Sequence, residues 1–284
     1  MPPILASGLR FLIAFPVFLV FARLKRVPLL FPKQEWGFFV LIILGYFSLP
    51  YLLINAAERY VSSGLTALLF SSMPVFVIIF SSLLLNERIR LIQLAGITIG
   101  FMSLTMILQA HGTTFGYRHM LGVLAILTAA IMHAFCYVVT KKRGSEISII
   151  TFNTLPIGIA GLGLTVTGAI VEQPAVGTLS LESMAALAYL GMVASVGGFL
   201  AYFHLLKHTS PVALSFVFII FPVIAVVLGG WYEGKAMTSS FAFYCMLMLV
   251  GFAMTKFPGA TRHHFISRPH FMRFAGYLTG IRRS

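Results

Sequence analysis

The chain has 284 residues, 59% hydrophobic and only 10% charged, with a mean hydropathy of +0.96. A soluble domain carries about 25% charged residues, so a soluble enzyme, a disordered chain and a secreted disulfide scaffold are excluded. Its 20 Lys and Arg face seven acids, all Glu, for a net charge of +13, yet charged residues are too few to build the solvated basic face of a nucleic-acid binder. A helix needs about 20 apolar residues to cross a bilayer. Nine such runs are read along the chain, at 3–22, 36–57, 62–85, 91–109, 120–140, 147–171, 184–206, 212–232 and 240–256. They are too long and too evenly apolar for barrel strands, and backbone groups in lipid must be satisfied internally, so each is predicted to be a helix. The opening Met1-Pro2-Pro3-Ile4 lacks the basic start of a signal peptide, so the first run is expected to stay as a span. Cys136 and Cys245 both fall inside apolar runs, which argues against a structural disulfide or a thiolate metal site.

The basic residues predict the orientation, because cytoplasmic loops collect Lys and Arg. Arg23, Lys25, Arg26, Lys33, Arg88, Arg90, Lys141, Lys142, Arg143, Lys207 and six residues after 255 fall on one side, 16 in all. Arg10, Arg59, Arg118 and Lys235 fall on the other. With three Glu on the first side and four on the second, the net +13 is entirely on the first. The expected topology has the N-terminus of the chain as written outside and the C-terminus in the cytoplasm of a multi-pass protein of the plasma or inner membrane.

An internal repeat runs at an offset of 148 residues. Tyr60-Val61-Ser62-Ser63-Gly64 through Met73-Pro74-Val75-Phe76 sets against His208-Thr209-Ser210-Pro211 through Phe221-Pro222-Val223-Ile224, matching Ser62 with Ser210, Phe70 with Phe218 and Pro74 with Pro222. The apolar runs that follow end in Glu87 and Glu233, which the charge pattern assigns to opposite sides. Repeats of opposite orientation are a common plan of secondary transporters.

These residues resemble the EamA-type branch of the drug/metabolite transporter superfamily. The likeness rests on Leu9-Arg10-Phe11-Leu12-Ile13-Ala14, on the Tyr60–Arg88 stretch, on Gln93-Leu94-Ala95-Gly96 and on Ser210-Pro211-Val212-Ala213 leading to Glu233. It covers about residues 4–257. The resemblance implies an all-α polytopic membrane protein of two inverted five-helix repeats around a central substrate cavity. The first run aligns with the pattern's second helix, so nine spans are seen of an expected ten. The implied division is a first repeat at 3–109 with four spans, a second at 120–257 with five, and a basic cytoplasmic tail at 258–284.

Apart from Lys256 at the last position of the final run, Arg10 is the sole Lys or Arg inside a run, and a charge at that depth usually faces a cavity or a partner. It either snorkels to the nearby surface, makes a structural pair, or binds a substrate carboxylate through its fork of donors. Asn55, His133, Asn153 and His204, with Tyr46, Tyr51, Tyr137, Tyr189 and Tyr202, are polar groups in mid-run. They either join helices by hydrogen bonds, sit as interfacial tyrosines, or line a pathway. Among them the substrate-cavity candidates are Arg10, Tyr51, Asn55, His133, Tyr137, Asn153 and Tyr202. Pro74 and Pro222 interrupt matching helices, since proline removes a backbone donor, and are the kink or gating candidates. Recurrent glycines such as Gly96, Gly100, Gly158, Gly161 and Gly191 are expected at close helix contacts. The tail pairs apolar residues at helical spacing with Arg273, Arg282 and Arg283, as a segment lying on an anionic leaflet would. His263, His264 and His270 lack the acids or cysteines of a metal site.

The expectation is a secondary transporter that moves a small organic solute (metabolite, amino acid or drug-like compound) by alternating access. It needs no catalytic residue, metal or cofactor. Its partners are the solute, the lipid bilayer and, as a candidate, a second copy of the chain in a homodimer, with no nucleic acid. The alternatives are a non-transporting membrane assembly or receptor subunit, and a membrane-embedded enzyme, for which no paired acids or His-Glu-x-x-His cluster is present.

Overall fold

The computed structural model describes residues 1–86, 90–110, 117–144, 147–174, 180–214 and 239–254. Among these the regular elements are all helical. Six helical rods are long and apolar enough to cross a membrane: Pro3–Leu24, Lys33–Ala57, Ser63–Leu85, Tyr117–Arg143, Ile149–Glu172 and Leu181–His208. Helix α1 is Pro3–Leu24; the second rod contains α2 (Trp36–Leu41) and α3 (Leu49–Ala57); the third contains α4 (Ser63–Phe70) and α5 (Met73–Leu85). Then follow α6 (Leu91–Ala110), α7 (Tyr117–Arg143), α8 (Ile149–Glu172), α9 (Leu181–Tyr189), α10 (Gly198–His208), α11 (Pro211–Leu214) and α12 (Ser239–Met254). Of the run expected at 212–232, the described part ends at Leu214. Pro222, Glu87, Glu233 and the tail 258–284 lie outside the described residues.

Two rods carry a π-helical segment near their middle, at Ile42–Ser48 and at Leu190–Gly197. π-Helical turns are rare and are found mostly at functional sites. Each has a local cause. Pro50 has no amide hydrogen for the Tyr46 carbonyl and its ring crowds that oxygen. The chain widens, and the Leu49 amide bonds the Leu44 carbonyl five residues back. The second segment ends at the Gly197-Gly198 pair, a sequence that tolerates such bends, and the Ser195 hydroxyl donates to the Leu190 carbonyl at 2.9 Å, also five residues back. The third rod breaks instead at Ser71 and Ser72, whose hydroxyls donate to the Leu68 and Leu69 carbonyls at 2.6 and 2.7 Å. Pro74 stands in the first turn of α5 just after that break, where a missing amide hydrogen costs nothing.

Lipid is as apolar as leucine, so helices in a membrane associate through close packing rather than through the hydrophobic effect. Glycine permits this between α1 and α8. A methyl group on Gly168 would stand 2.6 Å from the Leu5 amide nitrogen, one on Gly161 2.9 Å from Phe11 Cβ, and one on Gly158 2.6 Å from the Phe15 ring. As the α1 numbers rise the α8 numbers fall, so the two helices are antiparallel. Likewise α12 meets α6, where a Cβ on Gly251 would be 2.6 Å from the Gly100 nitrogen. The first π segment packs on α8 and the second on α1, the latter at Gly191 against Ile13. Helix α7 packs against α3, α4 and α5. The elements also keep an offset. The π segments begin at Ile42 and Leu190, 148 residues apart. Residues 3–24 of α1, shifted by 148, fall on 151–172, inside α8.

Polar contacts close both ends of this bundle. At one end the Glu172 carboxylate, at the C-terminus of α8, accepts from the Ile4 and Leu5 amides at 3.1 and 2.9 Å and pairs with Arg59 at 3.4 Å. It thereby caps α1, whose first amides lack partners within the helix and whose positive dipole end favours a carboxylate. At the other end Lys141 donates to the Leu206 and Lys207 carbonyls at 3.0 and 2.9 Å. Those carbonyls belong to the last turn of α10, where a cation is favoured for the same reason. Lys207 in turn donates to the Ile147 carbonyl, and Arg143 pairs with Glu35 at 3.6 Å.

Candidate functional site

Between these two ends buried and partly buried side chains form a column of polar and aromatic groups. Below the Glu172 end, Asn55 of α3 donates its amide to the Ser7 hydroxyl of α1 at 2.9 Å, and both residues are buried. About one helical turn deeper on each helix stand Arg10 and Tyr51. The Arg10 guanidinium lies 4.9 Å from the Phe11 ring centroid and 5.0 Å from that of Tyr51, within the range of a cation–π attraction. Its Nε is buried without a hydrogen-bond partner, and Arg10 takes part in neither ion pair among the described residues. Among the described residues the side chain therefore reaches no acid; partly buried, it is held against two rings.

Tyr51 leads on to His133 of α7, ring to ring at 6.0 Å. His133 is 5% exposed, and its Nδ1 lies 3.1 Å from the Ala129 carbonyl. A carbonyl can only accept, so the proton sits on Nδ1. The His133 ring meets Tyr46, in the first π segment, edge to face at 4.9 Å. The Tyr46 and Tyr137 hydroxyls are 3.2 Å apart, and the Tyr137 ring lies 4.7 Å from that of Tyr202 on α10. Phe47 and Phe199 add apolar wall, 5.3 Å apart and both against Phe11. Of the residues singled out from sequence, the fold thus joins Arg10, Tyr51, His133, Tyr137 and Tyr202 in one chain of contacts, with Asn55 just beyond.

Asn153 stands apart. It lies about one turn inside α8 at the Lys141 end, fully buried, with its amide donated to the Ile149 carbonyl at 2.8 Å and its Oδ1 unpartnered. Beside it the Phe152 ring meets that of Phe203 at a tilt, with centroids 4.4 Å apart. Phe203 also touches Tyr46 at 5.3 Å. On their far side the two phenylalanines line a cavity of about 180 Å³ with Thr140, Lys141, Leu206 and Lys207. Phe152 and Phe203 are thus a two-ring floor dividing the tyrosine–histidine cluster from the Lys141 end. Sequence reading passed over Ser7, Phe11, Phe47, Phe199 and Phe203, because phenylalanine in an apolar run carries no mark of which way it faces. The signal available for Phe199 was the repeat: it falls 148 residues after Tyr51.

No group of three or more His, Cys, Asp or Glu that could hold a metal occurs among the described residues. The column offers hydrogen-bonding hydroxyls, one imidazole, π faces and one cation, groups able to bind a solute of mixed polarity.

The model of the EamA-like transporter family matches residues 1–109 and 120–257. Protein PagO of Salmonella typhimurium strain LT2 is 41% identical over 254 residues, spanning 89% of this chain and 84% of PagO. A protein of Buchnera aphidicola subsp. Schizaphis graminum named as an uncharacterized transporter is 37% identical over 224 residues, 79% of this chain and 75% of its own. The uncharacterized inner membrane transporter YedA of Escherichia coli K12 is 28% identical over 248 residues, 84% and 76% of the two chains. A solved crystal structure superposes with a TM-score of 0.70 over 90% of this chain and 88% of its own, at 22% identity, a likeness of fold.

Proposed function

The chain belongs to the EamA-like transporter family, and from that premise we propose that it moves a small organic solute across the cytoplasmic membrane by alternating access between two inverted repeats. The observation that carries the proposal is the Arg10–Tyr51–His133–Tyr46–Tyr137–Tyr202 column, closed at both ends by different contacts. Glu172 with Arg59 and the α1 amides closes one end. The Phe152–Phe203 floor and the Lys141 and Lys207 contacts close the other. Releasing one set at a time exposes the column to one side at a time. Two repeats of opposite orientation suit this, and the antiparallel α1 and α8, the exchanged contacts with the π segments and the recurring offset of 148 residues support them. The domain division at 3–109 and 120–257 follows the same repeat.

In the orientation favoured by the Lys and Arg pattern, the Glu172 end is outside and the Lys141 end cytoplasmic. Substrate contacts are assigned to Arg10, Tyr51, Asn55, His133, Tyr137 and Tyr202, with Asn153 beside the inner floor. The break before Pro74, and Pro222 at the matching position, are the gating points on this reading. The test is reconstitution of purified protein into liposomes and measurement of flux over a panel of amino acids, organic acids, amines and neutral metabolites. Protein-dependent, saturable flux of at least one solute is expected; binding without flux of any of them would make the chain a non-transporting subunit.

A further inference from the structure

We propose that the column is specific for a solute carrying one carboxylate on an apolar or aromatic body, with Arg10 as the residue that takes the carboxylate. The proposal rests on the transport reading and deepens it. Arg10 is the one charged side chain of the column, and its buried Nε has no hydrogen-bond partner. A buried donor left unmade is costly, and an intramembrane arginine normally finds an acid or a carbonyl. Here the guanidinium is flanked by the Phe11 and Tyr51 rings. These hold its plane and leave its remaining donors for a bidentate acceptor, the geometry in which arginine and a carboxylate fit each other.

The charge balance then selects the ligand. Among the described residues the column holds one positive charge and no carboxylate, since Glu172 is engaged by the first amides of α1 and by Arg59. A monoanion leaves the loaded column neutral. A cation would add to the charge of Arg10, and a dianion would leave one charge uncompensated, and both are penalised where water is excluded. The apolar part of the solute has Tyr51, Phe47 and Phe199 to lie against, all in contact with Phe11. The hydroxyl pair Tyr46–Tyr137 stands beyond His133 for any polar group at its other end.

The experiment uses the purified full chain, in detergent for thermal shift and in liposomes for flux. The probes are short-chain aliphatic carboxylates and benzoate, each beside its uncharged amide and its amine of the same skeleton, with palmitate as a lipid-borne carboxylate. At least one short carboxylate is expected to raise the melting temperature at concentrations where its amide and amine do not. Arg10→Gln is expected to weaken that binding about 10- to 100-fold, the loss of a charged hydrogen-bonding partner, with Arg10→Lys intermediate because it keeps the charge and loses the fork. If Arg10→Gln does not fold, the ranking of carboxylate over amide in the wild type and its narrowing in Arg10→Lys decide the matter. Equal response to amides or amines, or response to palmitate alone, would overturn the assignment. Flux of an amine or a neutral solute that survives in Arg10→Lys would leave the transporter reading standing and remove this one. Arg10-dependent carboxylate binding without flux would do the reverse.

Discussion

Asn55 and Ser7 illustrate how a single polar contact is used inside this bundle. Their hydrogen bond joins α3 to α1 where neither side chain meets water. Such bonds contribute about 0.6–2 kcal/mol in membranes. Ser7→Ala leaves the Asn55 amide unpaired and is expected to lower stability by roughly that amount. Adding Asn55→Leu removes the orphaned group, so the double variant should be no worse than Ser7→Ala alone. Thermal melting of the three variants in detergent checks both statements; strictly additive losses would show the two side chains to be independent. Glu172 has the same character at the membrane edge, where one carboxylate serves two amides and Arg59.

At the scale of elements the contacts are set by absence of bulk and by irregular helix. Gly168 lies against the Leu5 backbone, while a Cβ at Gly163 would meet nothing within 4 Å. Both belong to α8, so they make a matched pair. Gly168→Val must push α1 away and is expected to cost about 1–3 kcal/mol, as overpacking does, whereas Gly163→Ala should leave the melting temperature nearly unchanged. The π segment before Pro50 yields a functional prediction. Pro50→Ala restores an amide donor for the Tyr46 carbonyl, which favours a regular α-helix there. Losing the extra residue of the bulge would turn α3 by about 100° relative to Tyr46, carrying Tyr51 and Asn55 out of line with Arg10 and Ser7. The expected outcome is a folded, membrane-inserted protein with much reduced solute flux. Unchanged flux would mean that the π segment has no part in arranging the column.

For the whole molecule the decisive quantity is orientation. Reporter fusions after Leu30 and Gly144 are expected to give a cytoplasmic signal, and fusions after Arg59 and Gln173 an outside one. These four positions bracket α1, α3, α7 and α8, so a cytoplasmic signal at Arg59 or Gln173 would invert the assignment of the two gates. The Lys and Arg distribution that predicts this also accounts for the net charge of +13, all of which it assigns to one face. The same residues serve the fold: Lys141 and Arg143 at that end cap α10 and hold Glu35, so charges on which the expected orientation rests also hold this end of the bundle.

The run lengths, their apolar character and the scarcity of charge were enough to reveal helices, because a backbone in lipid has almost no other way to satisfy its hydrogen bonds. The matches of Ser62 with Ser210 and of Pro74 with Pro222 can be read without regard to where they point, and Arg10 announced itself by its cost in a membrane. What sequence left open was direction and company. It could not tell that Arg10 rests on Phe11 and Tyr51, that Asn55 serves Ser7, or that Asn153 lies beside the Phe152–Phe203 floor. Nor did it locate the π segments at Ile42–Ser48 and Leu190–Gly197. In a run that is hydrophobic all round, periodicity does not say which face is buried. That choice is made when glycines such as Gly161 and Gly168 let α1 and α8 close on each other and every neighbouring side chain takes the space that remains.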